Sequence, residues 1–215
     1  MPAQFRHLNA KPFVWLDTET TGLDPEVAEV IEIAMIQVDV DGTETVLIHT
    51  KIKPDRIEDA HPIALKVNGY TEEAWADAPS QIEVWTDIYD RYLLSNCVLA
   101  GQNVKFDIGM IKASLKRAGF DDYRFDYHSY DTVTLAIAYL KPLMKSVSLV
   151  PCCVALAIPV KDAHSALADT RMSMELGRVL LTARASERAR WLICIPQRLA
   201  AWEAAGKPNV WPPVS

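Results

Sequence analysis

The sequence predicts a mixed α/β domain, because strand-like segments come first and then alternate with helical ones. Residues 12–18 form an apolar run that fits a buried strand. Two further strand-like segments, 31–40 and 46–52, are separated by the turn dipeptide Asp41-Gly42 and therefore predict a hairpin. Beyond residue 80 the apolar residues recur mostly with the period of helices, with one more short strand among them.

Caps and apolar periodicity locate the remaining elements. Ser80 is placed to cap a helix whose predicted buried face contains Ile82, Trp85 and Ile88. Asp131 most simply caps a later helix in the same way. The remaining strand is predicted at 97–100, and helices are predicted over 62–67, 80–94, 105–118, 131–140, 147–156, 165–183 and 185–203.

The composition fits one ordinary globular domain, or one domain with an appendage. The chain has 215 residues, of which 50% are hydrophobic and 23% are charged. Its net charge of −6 argues against nonspecific binding of duplex DNA, which needs bulk positive charge. The charge is uneven, since residues 1–99 contain 7 basic and 18 acidic side chains, whereas residues 100–215 contain 15 and 10. Such an asymmetry calls for an explanation.

The sequence also favours a cytoplasmic protein. Its longest apolar run, 149–160, is interrupted by two prolines and is too short to cross a bilayer. Residues 1–13 contain no hydrophobic signal core, so export is not expected. None of the four cysteines has C-x-x-C spacing, which favours reduced core thiols over disulfides or a zinc site.

Two acids stand at the end of the first predicted strand. Asp17 and Glu19 are two residues apart, so in an extended strand their carboxylates point to the same face. Side by side near a buried strand they repel each other and lose hydration, unless a cation lies between them. Carboxylate oxygens suit Mg²⁺ or Mn²⁺. A solvated pair at a strand end is the alternative, and Asp24-Pro25-Glu26 repeats the pattern.

Two further motifs place acids and a histidine at helix starts. Asp107 falls in the first turn of the helix after strand 97–100, where the helix dipole stabilises a carboxylate whatever else it does. His164 and Asp169 are five residues apart, which puts them on different faces of one continuous helix. They share a site only if His164 lies in the loop before the helix and Asp169 lies one turn inside it. There His164 either acts as a base near neutral pH or is simply a polar residue at a helix start.

In this order the motifs resemble those of the DEDDh 3′–5′ exonuclease family, the group of DnaQ-like proofreading subunits, RNase T and oligoribonuclease. The segment 14–23, VWLDTETTGL, is similar to the family's first motif almost letter for letter. Residues 101–110 resemble the second motif, and residues 164–169 resemble the third motif in its histidine type. The resemblance covers residues 12–183.

Membership implies an RNase H-like exonuclease fold, in which helices flank a central mixed five-stranded sheet. It also implies two Mg²⁺ or Mn²⁺ ions held by the carboxylates of Asp17, Glu19, Asp107 and Asp169. Three of them, all but Asp107, would bind the first ion directly. Asp17 would also reach the second ion, which Asp107 would support through water. His164 completes the catalytic set as the base that takes a proton from the water nucleophile. The product implied is a nucleoside 5′-monophosphate released from a 3′ end.

The resemblance further assigns residues to the substrate. Thr20 and Leu23 are expected to contact the terminal nucleotide, with the Leu23 side chain against its base; core packing is the alternative for Leu23. Asn103 is expected either to hydrogen-bond the sugar-phosphate or to form a turn. Many DnaQ-like members carry His where this chain has Asn68 and Gln102, which leaves the substrate preference open.

The leading hypothesis is a metal-dependent 3′–5′ exonuclease that acts on single-stranded or frayed DNA ends. The sequence of residues 18–22, TETTG, favours the DnaQ-like group over oligoribonuclease. The alternatives are an RNA-trimming exoribonuclease of RNase T or oligoribonuclease type, and a proofreading subunit whose main role is to hold a polymerase. The spacing of Lys105, Lys112 and Lys116 puts them on one helix face, which either contacts the phosphates of the incoming strand or is a solvated surface.

The C-terminal segment lies outside the resemblance. We expect an exonuclease domain over residues 1–184, followed by a helix and a Pro-rich tail over 185–215. Trp202 and Trp211 in this segment are candidates to anchor a polymerase partner or a second copy of the chain. No contact with a membrane is expected.

Overall fold

The computed structural model describes residues 11–161, 163–209 and 211, and within these ranges five strands form one mixed sheet. The strands are β1 (Phe13–Thr20), β2 (Val30–Val38), β3 (Glu44–Lys51), β4 (Val98–Gly101) and β5 (Ser129–Asp131). Their order across the sheet is β3-β2-β1-β4-β5. β2 is antiparallel to β1 and β3, whereas β4 is parallel to β1 and β5. The predicted mixed α/β fold with a five-stranded sheet is confirmed.

Helices flank this sheet in the described residues. They are α1 (Pro62–Val67), α2 (Gln81–Arg91), α3 (Val104–Arg117), α4 (Thr132–Tyr139), α5 (Leu149–Ala155), α6 (Ala166–Thr182) and α7 (Ala185–Ala204). At the start of α2, the Glu83 carboxylate accepts hydrogen bonds from the backbone and the hydroxyl of Ser80. At the start of α4, Asp131 accepts a hydrogen bond from the Val133 amide at 2.9 Å. Both predicted helix starts are therefore confirmed.

The predicted buried face of α2 was partly wrong. Trp85 and Ile88 are buried as expected, but Ile82 is 52% exposed. The face that packs inward repeats at positions 81, 84, 85 and 88, so Gln81 occupies the place that Ile82 was expected to take. The buried Gln81 amide is tolerated because its Nε2 donates to the carbonyls of Val30 and Lys53.

The two faces of the sheet carry different helical layers. Val14 and Leu16 of β1 point to the layer formed by α2 and α3 and pack in one apolar core with Trp85 and Ile111. Because side chains alternate along a strand, Trp15 points to the opposite face, where α6 crosses β1. A second apolar core fills the space among α4, α5, α6 and α7. The end of β1 is thus enclosed from both sides.

The C-terminal helix is part of this second core. α7 packs against α5 and buries Trp191, Ile195 and Trp202. The indole of Trp202 donates to the Pro208 carbonyl at 3.2 Å, so the expectation that Trp202 anchors a partner was wrong: the side chain is used within its own chain. Trp211, which is half-buried, exchanges backbone hydrogen bonds with Val160.

Some predictions fall on residues outside the described ranges, namely 1–10, 162, 210 and 212–215. The N-terminal stretch without a signal core and the end of the Pro-rich tail lie there. Among the described helices, none is both long and apolar enough to cross a membrane.

A glycine sets how closely α6 approaches the sheet. A Cβ at Gly177 would overlap the indole of Trp15 and lie 3.1 Å from the ring of Tyr130. The backbone of α6 therefore rests directly on these two rings, which meet edge to face at 5.4 Å between centroids. This contact lies in the same helix whose first turn carries Asp169.

We predict that Gly177→Ala destabilises the protein by about 1–3 kcal/mol, because α6 must move away from Trp15 to make room for the methyl group. Gly109→Ala in α3 is the matched control, since its nearest neighbour would be Pro25 at an ordinary 3.8 Å. The control should stabilise the protein by up to about 1 kcal/mol through helix propensity alone. Thermal and urea denaturation measure both changes, and equal effects at the two positions would contradict the close packing of α6.

Candidate active site and metal centre

The end of β1 presents two carboxylates to the layer of α6. Asp17 and Glu19 lie on the same face of the strand as Trp15, while Thr18 between them points to the α3 side. In the antiparallel register Glu19 lies directly opposite Glu32 of β2. Like charges facing each other across two strands destabilise a sheet unless something neutralises them.

A third acid joins them from α6. Asp169 lies in the first turn of this helix, and one oxygen from each carboxylate of Asp17, Glu19 and Asp169 lies within 4.8 Å of the other two. Three half-buried carboxylates at this separation offer only oxygen ligands. Hard divalent cations such as Mg²⁺ and Mn²⁺ favour such a donor set, so the residues fit the metal that the family resemblance implies.

Asp107 reaches the same strand end from the other helical layer. It lies in the first turn of α3 and is only 3% exposed. Its Oδ1 accepts hydrogen bonds from the Thr18 amide at 3.0 Å and the Thr18 hydroxyl at 2.7 Å. Asp107 therefore lies beside the three clustered carboxylates without being one of them, which is compatible with the indirect role that the resemblance implies.

Burial and mutual repulsion make these four acids hard to ionise. Burial, followed by the charges of its acidic neighbours, raises the pKa of Asp17 well above its usual range. The same causes raise the pKa of Glu19 to about 8. Burial raises the pKa of Asp107 to about 7, against the hydrogen bonds from Thr18. It raises the pKa of Asp169 to about 6, although the nearby His164 partly offsets this. The site holds more negative charge than it can stabilise without a cation.

His164 lies where the spacing of its motif required. It is exposed in the loop two residues before α6 begins, and Asp169 lies one turn inside that helix. The His164 backbone has φ 73°, a left-handed conformation that few non-glycine residues adopt. Its backbone amide is directed at Asp169 Oδ1, 3.4 Å away. The structure thus brings His164 and Asp169 together at one site.

The three predicted substrate residues have different surroundings. Leu23 is 83% exposed on the loop after β1, so the core-packing alternative was wrong. Thr20 is buried, and its hydroxyl donates to the Gly22 carbonyl at 2.7 Å, a contact that shapes this loop. Asn103 is exposed with φ 60° at the start of α3, and its backbone amide donates a hydrogen bond to Asp131 Oδ1. The turn predicted at Asn103 is therefore present.

The two positions where many family members carry His are hydrogen-bonded within the chain. Asn68 is buried, and its Nδ2 donates to the Thr20 carbonyl at the end of β1. Gln102 donates to the Val147 carbonyl and accepts from the Thr132 hydroxyl. Both residues lie next to predicted substrate residues and connect them to neighbouring segments.

One acidic residue near the site was not recognised as such in the sequence. Glu32 lies in the middle of β2 and is 6% exposed. Its charge contributes to raising the pKa of Asp17, Glu19 and Asp169, so it lies close to all three. The signal that could have revealed it is a single charged residue inside the apolar run 30–36.

The predicted lysine face of α3 is exposed at all three positions, Lys105, Lys112 and Lys116.

Comparisons with known proteins bear on the fold and the motifs together. Residues 14–176 match the model of RNase_T, a family described as exonuclease. The chain belongs to this exonuclease family. Its DnaQ-like resemblance, which was inferred from the three motifs, is thereby confirmed.

The relatives differ in how much of their length this exonuclease domain covers. The chain is 28% identical to Ribonuclease T of a Shewanella species over 180 residues, which is 76% of the chain and 78% of that protein. It is 33% identical to the PolC-type DNA polymerase III of Thermotoga petrophila over 164 residues, but this covers only 11% of the polymerase. Thus the chain spans most of the ribonuclease and about a ninth of the polymerase.

Solved structures show the same fold. Exonuclease I of E. coli, solved with a dT13 oligonucleotide, superposes with a TM-score of 0.68 at 21% identity. The superposition covers 80% of this chain and 41% of that one. Exonuclease I of Methylocaldum szegediense gives 0.66 at 24% identity over 84% and 42%. The RNase H-like exonuclease fold implied by the motifs is confirmed.

The raised pKa values predict how the stability of the metal-free protein depends on pH. Glu19 and Asp169 titrate near pH 8 and pH 6 in the folded state, above their ordinary values of 4.5 and 3.8. The folded state therefore binds more protons than the unfolded state between these values, and its stability falls as pH rises through them. The melting temperature of metal-free protein should be lower at a pH of about 8.5 than at about 5.5, and Mg²⁺ should restore more of it at the higher pH.

Two variants give this prediction its control. Glu19→Gln removes one of the repelling charges, so it should raise the melting temperature of the metal-free protein at high pH and reduce the gain on adding Mg²⁺. Glu58→Gln, at an exposed position in the loop before α1, should change neither quantity. A metal-free stability that rises with pH, or an equal Mg²⁺ effect in Glu19→Gln, would contradict the electrostatic account of the site.

Proposed function

We propose that this chain is a divalent-metal-dependent 3′–5′ exonuclease that hydrolyses single-stranded or frayed DNA ends to nucleoside 5′-monophosphates. The observation that carries the proposal is the meeting of Asp17, Glu19 and Asp169 within 4.8 Å, with His164 on the adjoining loop. Membership of the exonuclease family supports the same reaction class. The ion is proposed to be Mg²⁺ or Mn²⁺, with two ions bound per site.

Each acid has a place in this proposal. Asp17, Glu19 and Asp169 would hold one ion directly, and Asp107 would support the second from the α3 side. When bound, two such ions stabilise the charge on the attacking and leaving oxygens of an in-line phosphoryl displacement. The chain's own contribution is the convergence of these carboxylates from β1, α3 and α6, which fixes where the ions would be held.

His164 is proposed as the general base. Its ring lies on an exposed loop, from which it can approach a water molecule at the scissile phosphate. The water oxygen forms the new bond to phosphorus, its proton passes to the His164 ring, and the bond from phosphorus to the 3′ oxygen breaks. The leaving oxygen takes a proton from solvent, and the released nucleotide keeps its 5′-phosphate. Proton transfer of this kind is worth about 10²–10⁴-fold in rate.

Leu23 and Asn103 are proposed to select and hold the 3′ end. Leu23 projects an apolar side chain into solvent, which is a surface on which the terminal base could rest. Asn103 immediately precedes α3, and its exposed side-chain amide could contact the sugar-phosphate there. The Thr20 hydroxyl is engaged with Gly22, so its proposed role is to shape the loop that carries Leu23.

An RNA-trimming exoribonuclease is the second candidate. The observation in its favour is the similarity to Ribonuclease T, which extends over most of both proteins. The single-stranded DNA proposal draws its support from the fold shared with exonuclease I, whose E. coli form was solved with a dT13 oligonucleotide. The residues proposed above to contact the base and the phosphate do not distinguish the two candidates, because DNA and RNA both contain these groups.

The remaining proposals concern partners and location. The similarity to PolC-type polymerases supports a polymerase as a proposed partner. We propose that residues 185–215, which lie outside the family match, bind this polymerase or a second copy of the chain. Because the family match ends before residue 185, we also propose an exonuclease domain over residues 1–184 and a separate C-terminal segment over 185–215. Cys97, Cys152, Cys153 and Cys194 carry free thiols, which supports the proposed cytoplasmic location.

The proposed function predicts that 5′-labelled single-stranded DNA is shortened stepwise from its 3′ end in Mg²⁺ or Mn²⁺, and that a chelator stops the reaction. His164→Ala should lower kcat by about 10²–10⁴-fold. His128→Ala is the matched control, since His128 pairs with Asp126 near the start of β5, at the edge of the sheet opposite the four acids, and it should leave kcat unchanged.

The same assay run with RNA of equal sequence decides between the two candidates. Faster shortening of DNA supports the proposal, and faster shortening of RNA favours the exoribonuclease. Full activity in chelator, or wild-type kcat in His164→Ala, would contradict the mechanism.

A further inference from the structure

We propose that Glu32 is a positioning residue, whose carboxylate holds the loop of His164 and the first turn of α6 against the sheet. The inference deepens the proposed function, because it concerns how the chain places the proposed base and one of the proposed metal ligands. Glu32 stands in β2, directly opposite Glu19 in the sheet.

The burial of Glu32 requires an explanation. Its neighbours along β2 are apolar and buried, and the residue is 6% exposed. A carboxylate in such surroundings destabilises the fold unless its oxygens accept hydrogen bonds. The position opposite Glu19 adds repulsion. Any sheet built for stability alone would have an apolar residue here.

One oxygen of Glu32 contacts both the start of α6 and the neighbouring strand β3. Its Oε1 accepts from the Ala166 amide at 3.2 Å and from the Ser165 hydroxyl at 3.3 Å. The same oxygen lies 3.1 Å from Nε2 of His49 on β3. Glu32 thus connects strands β2 and β3 to the start of α6.

The Ala166 contact is a helix cap supplied from a distance. Ala166 is the first residue of α6, so its amide has no partner within the helix. Ser165, the residue in the capping position, makes no side-chain cap of its own. A carboxylate at this place accepts a hydrogen bond from the free amide, and its negative charge is stabilised by the positive end of the helix dipole.

What this cap fixes is the spacing of two proposed catalytic groups. His164 precedes the anchored pair by one residue, and Asp169 follows Ala166 by less than one helical turn. His164 also adopts a left-handed backbone conformation, which persists only where its surroundings enforce it. Without the anchor the loop would settle elsewhere, and a displacement of about 1 Å at reacting groups costs up to about 10²-fold in rate.

Glu32 is distinguished from a metal ligand by where its oxygen is directed. Among the described residues, the compact group able to hold an ion consists of Asp17, Glu19 and Asp169 and does not include Glu32. A positioning role therefore predicts a fall in kcat with little change in KM, whereas a ligand role predicts a large loss of metal affinity.

The matched control is another buried glutamate. Glu29 is 3% exposed, and its Oε2 accepts from the amides of Asp55 and Arg56 at 3.1 and 2.9 Å. It resembles Glu32 in burial and in accepting backbone amides, but it holds a different loop. Glu29→Ala should therefore lower the melting temperature without affecting the start of α6.

The test combines two measurements on Glu32→Ala, Glu32→Gln and Glu29→Ala. In the metal-free protein, hydrogen exchange of the Ala166 amide should be at least about 10-fold faster in Glu32→Ala and unchanged in Glu29→Ala. On single-stranded DNA at saturating Mn²⁺, Glu32→Ala should lower kcat by about 10–100-fold while KM changes by less than about 3-fold. Glu32→Gln retains an acceptor oxygen and should recover part of both.

Unchanged exchange at Ala166 in Glu32→Ala would overturn the proposal, as would wild-type kcat or a loss confined to Mn²⁺ affinity. Absence of nuclease activity in the wild-type protein would instead refute the proposed function, and the exchange measurement would still decide the role of Glu32.

Discussion

The carboxylates of Asp17, Glu19 and Asp169 lie within 4.8 Å of one another, and Asp107 is buried beside them. Burial, followed by the charges of acidic neighbours, raises the pKa of Glu19 to about 8. Burial raises the pKa of Asp107 to about 7, against the hydrogen bonds from Thr18. A fold that keeps four acids so close works against its own stability unless a cation joins them. The arrangement is therefore understandable as a preformed cation site whose protein part is strained by repulsion.

The rest of the structure holds these acids in place. β1 delivers two of them on one face because side chains alternate along a strand, and the two helical layers each deliver one more. The contact of Gly177 with Trp15 brings α6 close to the sheet, and Glu32 anchors its first residue. Thr18 and Asp107 join the opposite layer to the same strand. Each contact opposes the separation that repulsion would otherwise produce.

Most of the fold and the identity of the five proposed catalytic residues could be predicted from the sequence. Strands β1 to β4 and the helices have apolar periods and caps that are local in the chain. β5 was missed in the residue pattern because it has three half-buried residues and exists through pairing with β4. Glu32 was missed as a site residue because its importance lies in contacts with residues more than 130 positions away. Ile82 was misplaced because the choice between adjacent helix faces depends on the surface against which the helix packs.

The charge asymmetry between the two halves of the chain also acquires a physical meaning. The acidic half supplies Asp17, Glu19 and Glu32, while the other half supplies Asp107, Asp169 and the exposed lysines of α3. Net negative charge is no obstacle to binding a 3′ end if cations occupy the acidic cluster.

Diffraction from crystals soaked in Mn²⁺, recorded at the manganese absorption edge, tests this account most directly. The account predicts an anomalous peak bonded to oxygens of Asp17, Glu19 and Asp169, which disappears in Asp17→Asn. The absence of a peak at this position in a soaked crystal at a pH of about 8.5, above the raised pKa values of Glu19 and Asp169, would contradict it.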